Sequence, residues 1–97
     1  METSNTDSRV HAIVQGYVQG VNFRYYTVRT ARQLGVRGWV ANRQDGTVET
    51  VAEGPRDALE AFVDFLHEGS PSASVQDVDV EWRTPTSEFD DFRVRYP

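Results

Sequence analysis

Gly16-Tyr17-Val18-Gln19-Gly20-Val21-Asn22-Phe23-Arg24 lies between two patterns of different period, and its reading decides how the chain folds. Before it, Val10, Ala12 and Val14 alternate with His11, Ile13 and Gln15, the two-residue period of a strand over about residues 9–16. After it, Phe23, Tyr26, Thr27, Ala31 and Leu34 recur at helical spacing over about residues 22–34, with Arg29 and Arg32 outside. Asn22 is placed as the N-cap and Gly35 as the C-terminal stop. A strand, two glycines four apart and a helix start suit an anion. Glycine lets successive N–H groups turn toward one point, and the helix adds unpaired amides and the positive end of its dipole. Arg24, in the first turn, adds a planar fork for two phosphate oxygens. No Lys-Ser/Thr pair follows the second glycine, so this is not the loop of nucleotide-hydrolysing proteins, nor the three-glycine dinucleotide fingerprint. On spacing alone, a tight turn with an exposed arginine stands beside the phosphate-binding reading.

Outward from that stretch, Val36 to Arg43 and Thr47 to Glu53 read as two strands joined by a Gln44-Asp45-Gly46 hairpin turn. Gly54-Pro55 opens a second helix with Leu59, Phe62, Val63 and Leu66 on one face, and Gly69 closes it before Ser70-Pro71. Val78, Val80 and Trp82 alternate with Asp77, Asp79 and Glu81 in a fourth strand with one wet face. Phe92, Val94 and Tyr96 alternate with Arg93 and Arg95 in a short last strand. The order strand, helix, strand, strand, helix, strand predicts an α+β, ferredoxin-like βαββαβ sandwich. Two helices cover one face of a mainly antiparallel sheet with an added C-terminal strand. The other face carries polar groups, His11, Gln15, Glu49 and Glu53 among them.

Ninety-seven residues make one domain over residues 9–97, preceded by a polar, disordered tail at residues 1–8 that lacks the basic start and apolar run of a signal peptide. There is no cysteine, which excludes disulfides, a thiol nucleophile and thiolate metal sites and fits a cytoplasmic protein. No apolar stretch reaches membrane-spanning length. The net charge of −5 disfavours nucleic acid as a partner. All ten basic residues are arginine. An acidic, lysine-free chain suits a salt-rich, halophilic cytoplasm, and a GC-rich genome produces the same bias. His11 and His67 read as surface residues. Asp77, Asp79 and Glu81 read as a wet strand face, because a calcium loop's glycine turn and terminal glutamate are missing.

Gly38-Trp39-Val40-Ala41-Asn42 brings a carboxamide to the end of the second strand, which runs antiparallel to a neighbour of the first. Asn42 can therefore approach the glycine loop, donating to one group and accepting from another such as water, or it simply begins the turn. Together these stretches carry a resemblance. Gly16 to Arg24 resembles the first signature of the acylphosphatase family: glycine, any residue, Val-Gln-Gly-Val, any residue, Phe-Arg. Gly38 to Asn42, with Gly46, Val48 and Gly54 beyond, resembles the second, and the likeness runs from about Arg9 to Tyr96.

The resemblance implies an enzyme that hydrolyses the carboxyl–phosphate bond of acyl phosphates. It implies that Tyr17, Val18, Gln19, Gly20, Val21 and Arg24 hold the phosphoryl group, or free inorganic phosphate, and that Asn42 orients the attacking water. The leaving carboxylate needs no proton at neutral pH, so neither a general acid nor a metal nor another cofactor is expected. A monomer acting on a small molecule, without nucleic acid or membrane, is the expected state. The alternative is a non-catalytic module that binds phosphate or carbamoyl phosphate and acts with a partner.

Overall fold

In the computed structural model, which describes residues 6–96, the alternation before the glycine loop forms β1 (Asp7–Tyr17). It buries Val10, Ala12 and Val14 completely on one face and leaves Arg9, His11 and Ile13 partly covered on the other. The chain continues through α1 (Phe23–Leu34), β2 (Arg37–Asn42), β3 (Val48–Pro55), α2 (Arg56–Glu68), β4 (Ser74–Arg83) and β5 (Phe92–Val94). The five strands form one sheet in the order β4-β1-β3-β2-β5, antiparallel except where β5 runs parallel to β2. With both helices packed on the sheet, this is the expected ferredoxin-like α+β fold. β1 starts inside the stretch read as a polar tail: Asp7 lies opposite Pro55, and its carboxylate accepts from Arg37 Nη2 at 2.6 Å. Residues 1–5 of that expected tail, and Pro97, lie outside the described residues. Among the described residues no helix is long and apolar enough to cross a membrane.

The core lies between the helices and one sheet face. From α1 it takes Phe23, Thr27 and Ala31, and from α2 Leu59, Phe62 and Leu66. Phe62 meets Phe92 of β5 with ring centroids 5.6 Å apart, so the short last strand is anchored by an aromatic contact. Truncating such a fully buried ring to alanine costs about 3–5 kcal/mol. Tyr26 and Leu34 fall at the rim, partly covered, because the apolar stripe of α1 is narrower than the periodicity suggested. Asn22 does hold the N-cap position, in the left-handed conformation (φ 63°) and without a side-chain hydrogen bond to the helix.

The open face departs from expectation at Glu53. Expected among the wet groups, it is 1% exposed. A strap over residues 84–89 crosses above it. Glu53 Oε2 accepts from Arg9 Nη1 at 2.7 Å and the Thr86 amide at 2.8 Å, and Oε1 accepts from the Ser87 amide at 2.9 Å. Burial pushes the Glu53 carboxyl up, but those amides, Arg9 and the Thr86 hydroxyl outweigh it and hold the pKa below the ordinary glutamate value. On the same face His11 Nε2 stands 2.7 Å from Glu49 Oε2, a partner supplied by β3 rather than by sequence neighbours. Trp39 and Trp82 each carry a guanidinium over the ring, Arg95 at 4.3 Å and Arg56 at 3.7 Å.

Candidate active site

Strand direction and register bring the two singled-out stretches to one end of the sheet. β1 and β2 both run antiparallel to β3, so they point the same way. Val14 and Asn42 both lie opposite Val48, which puts Asn42 level with the end of β1. The glycine loop leaves β1 just beyond that level. β5, parallel to β2 with Val94 opposite Val40, arrives at the same end and carries Tyr96 past it. The result is a cleft of about 420 Å³ lined by Val18, Gly20, Arg24 and Asn42, with Tyr25, Val28, Val94 and Tyr96 completing its wall.

Local conformation decides what the loop presents. At Gly16 the β1–β4 register shifts, and a Cβ there would stand 2.2 Å from the Ser74 carbonyl oxygen, so only glycine permits the bulge that turns the chain out of the sheet. Gly20 has φ +75° with open space where a Cβ would sit, so it serves backbone conformation rather than close packing. With Gly20 and Asn22 both left-handed, the amides of residues 18–25 donate to no main-chain carbonyl among the described residues. The first amide to do so is that of Tyr26, to Asn22 O at 3.1 Å. A run of unpaired N–H groups ending at a helix N-terminus is an anion-binding concavity.

The charged and polar side chains agree with that. Arg24 has no carboxylate in ion-pair reach among the described residues, and its guanidinium lies over the Tyr96 ring at 5.5 Å. α1 carries Arg24, Arg29 and Arg32 and no acidic residue, so the cleft faces a cationic helix in a chain of net charge −5. Asn42 Oδ1 is buried and has no hydrogen-bond partner among the described residues. An orphaned buried acceptor costs about 1–3 kcal/mol, and the cleft that Asn42 lines is where a donor can reach it.

The sequence profile of the acylphosphatase family matches residues 10–94. The chain belongs to the acylphosphatase family. It is 52% identical over 95 residues to an acylphosphatase of Salinibacter ruber, covering 98% of this chain and 99% of that one. It is 58% identical over 77 residues to an acylphosphatase of Trichormus variabilis, covering 79% and 76%. The fold superposes on the crystal structure of acylphosphatase from Bacillus subtilis with a TM-score of 0.89 at 40% identity, covering 92% of this chain and 99% of that one.

Not every residue that the acylphosphatase resemblance implicates faces the cleft with its side chain. Gln19 turns away from it: Nε2 donates to Arg43 O at 2.7 Å and Thr47 O at 2.8 Å, tying the loop to the β2–β3 hairpin. Val21 is buried, and its carbonyl accepts from Ser70 Oγ at 2.7 Å. Tyr17 is 62% exposed at the end of β1. None of these three lines the cleft. Sequence reasoning missed Tyr25, Val28, Val94 and Tyr96. Val28 follows Arg24 by one helical turn and Tyr25 by three residues, a spacing signal that was available; Val94 and Tyr96 reach the cleft only through the parallel pairing of β5 with β2.

Proposed function

We propose that this chain hydrolyses the carboxyl–phosphate bond of acyl phosphates, with the phosphoryl group held by the main-chain amides of the Tyr17–Val21 loop and by Arg24, and the attacking water oriented by Asn42. The observation that carries this reading is the buried, unpartnered Asn42 Oδ1 in the same cleft as the unpaired loop amides. A carboxamide oxygen accepts a hydrogen bond from water and leaves a water lone pair free for phosphorus. The P–O bond to the acyl oxygen breaks as the bond to water oxygen forms, releasing a carboxylate and phosphate. The leaving acid has a pKa of about 4, so it departs unprotonated at neutral pH. The water proton passes to a phosphoryl oxygen. Phosphoryl transfer demands positioning and charge stabilisation above all, and oriented amides with a fixed guanidinium supply both. That assignment leaves no step requiring a metal.

Family membership over nearly the whole length of the Salinibacter ruber relative favours catalysis over a binding module. The absence of cysteine fits a cytoplasmic location, and the acidic, arginine-only composition fits a salt-rich one. Phosphate release from benzoyl phosphate, measured with a chelator present and salt varied up to the molar range, tests this: turnover persists in both conditions. Loss of turnover on chelation would overturn the metal-free mechanism, and no turnover at all would overturn the hydrolase.

A further inference from the structure

The end of the glycine loop is held from the interior by a residue 49 positions away. Ser70 Oγ donates to Val21 O at 2.7 Å, with both residues buried. Thr27, also buried, returns its hydroxyl to its own helix at Phe23 O, 2.8 Å away; Ser70 spends its hydroxyl on a different part of the chain. Its place is set by the turn that ends α2. Gly69, at φ +78°, donates its amide to Phe65 O at 2.7 Å, and the Ala73 amide donates to Ser70 O at 3.0 Å, so Ser70 sits in a closed turn. A Cβ on Gly69 would stand 2.8 Å from Phe23 Cε2, so the bare glycine lets this turn press against the first residue of α1. Neither Ser70 nor Val21 borders the cleft, whereas Asn22 and Phe23 do.

We infer that Ser70 is a positioning residue for phosphate binding: by holding the Val21 carbonyl in the interior it aims the Asn22 amide at the cleft, adding one donor to the cradle proposed above. The inference rests on that reading of the loop. In a trans peptide the C=O and N–H point in opposite directions. With the Val21 oxygen fixed on Ser70, away from the cleft, the N–H of the same peptide faces the other way and meets no main-chain acceptor among the described residues. The next peptide is set by the helix itself. Asn22 O accepts from the Tyr26 amide at 3.1 Å, which leaves the Phe23 N–H free at the helix start. The Ser70 hydroxyl matters because the orientation it holds is strained. Asn22 sits at φ 63°, in the left-handed region that a residue with a Cβ occupies at a cost. Turning the 21–22 peptide over would carry that φ into the ordinary negative range and relieve the cost. It would also swing a carbonyl oxygen into the cleft, where it opposes a phosphate, and take the amide out. The flip is blocked because it would orphan the buried Ser70 hydroxyl.

Ser70→Ala and Ser70→Cys in the full chain test this, the second being close to serine in size with a weaker donor. In Ser70→Ala the inhibition constant for inorganic phosphate rises about tenfold, short of the roughly hundredfold or greater loss when such a donor is removed outright. Ser70→Cys falls between parent and alanine, and kcat/KM for benzoyl phosphate declines in the same order. The direct reading is the Asn22 amide in proton–nitrogen correlation spectra. Inorganic phosphate shifts it in the parent and no longer does so in Ser70→Ala, while other amides of the loop still respond. A side chain that only held the fold together would lower the urea midpoint yet leave both phosphate readings of the folded molecule unchanged. Phosphate inhibition within twofold of the parent in both variants, with the Asn22 amide still responding, therefore overturns the positioning role. So does an Asn22 amide that ignores phosphate in the parent. A parent chain that turns over no acyl phosphate overturns the hydrolase instead, and the role of Ser70 is then read on phosphate binding by itself.

Discussion

Two places in this molecule gather main-chain amides and an arginine around a point where negative charge belongs, and they differ in who supplies the charge. Under the strap the chain supplies it: Glu53 meets Arg9, two amides and a hydroxyl, all within 3.1 Å. At the glycine loop the chain supplies none: the amides of residues 18–25 have no main-chain acceptor, and Arg24 has only the Tyr96 ring, among the described residues. The same chemistry is closed on itself at one end and open at the other. Closure converts the donors into stability; openness leaves them ready for a ligand, at a standing cost in unsatisfied groups.

Breaking each half should therefore hurt a different quantity. The largest effect belongs to Arg24→Ala, which removes at least ~3 kcal/mol of transition-state stabilisation, more than a hundredfold in kcat/KM, while the urea midpoint stays within experimental scatter. Arg9→Ala does the opposite. It leaves a buried carboxylate short of its cation, lowering stability by about 3 kcal/mol in denaturant titration with turnover per folded molecule retained. Because the folded pKa of Glu53 is depressed, its contribution is present above the unfolded value and drains away as pH falls through the folded one. Acid titration of the parent and of Glu53→Gln, followed by circular dichroism, should show the acid limb shifted or flattened in the variant.

Asn42→Ala sharpens the comparison within the open half. It lowers kcat about a hundredfold, with inhibition by inorganic phosphate nearly unchanged, because in the role proposed for it Asn42 orients water and not the phosphoryl group. The smallest effect is Gly20→Ala. With no steric contact for the new Cβ, the penalty is the left-handed backbone alone, about 1 kcal/mol, read as weaker phosphate inhibition with little loss of fold.

The contrast also explains what the sequence could disclose. The open half is built from consecutive residues and short-range geometry. Gly16, Gly20 and Arg24 announce it, while Asn42 reaches the same end only because β3 pairs with both β1 and β2. The closed half joins Arg9, Glu53 and Thr86, residues tens of positions apart, so no local pattern carries it and Glu53 read as a wet-face residue. Tyr96 shows a different departure. Its alternation with Arg93 and Arg95 placed it in the last strand, but β5 ends at Val94 and the ring is 73% exposed over Arg24. Asp7 and Ser8 were invisible as strand because polar side chains give no period, and pairing with Gly54 and Pro55 is what extends β1 across them.

The sheet order has one more consequence. β3 sits between β1 and β2, so the glycine loop and Asn42 belong to strands that never touch each other. They come into line only after β3 has slotted between them and made both of its non-local pairings, the slow kind of event in folding. On the roles proposed for the loop and Asn42, recovery of turnover during refolding is therefore a clock for the insertion of that one strand, and a half-assembled sheet, however much helix it already shows, is catalytically silent.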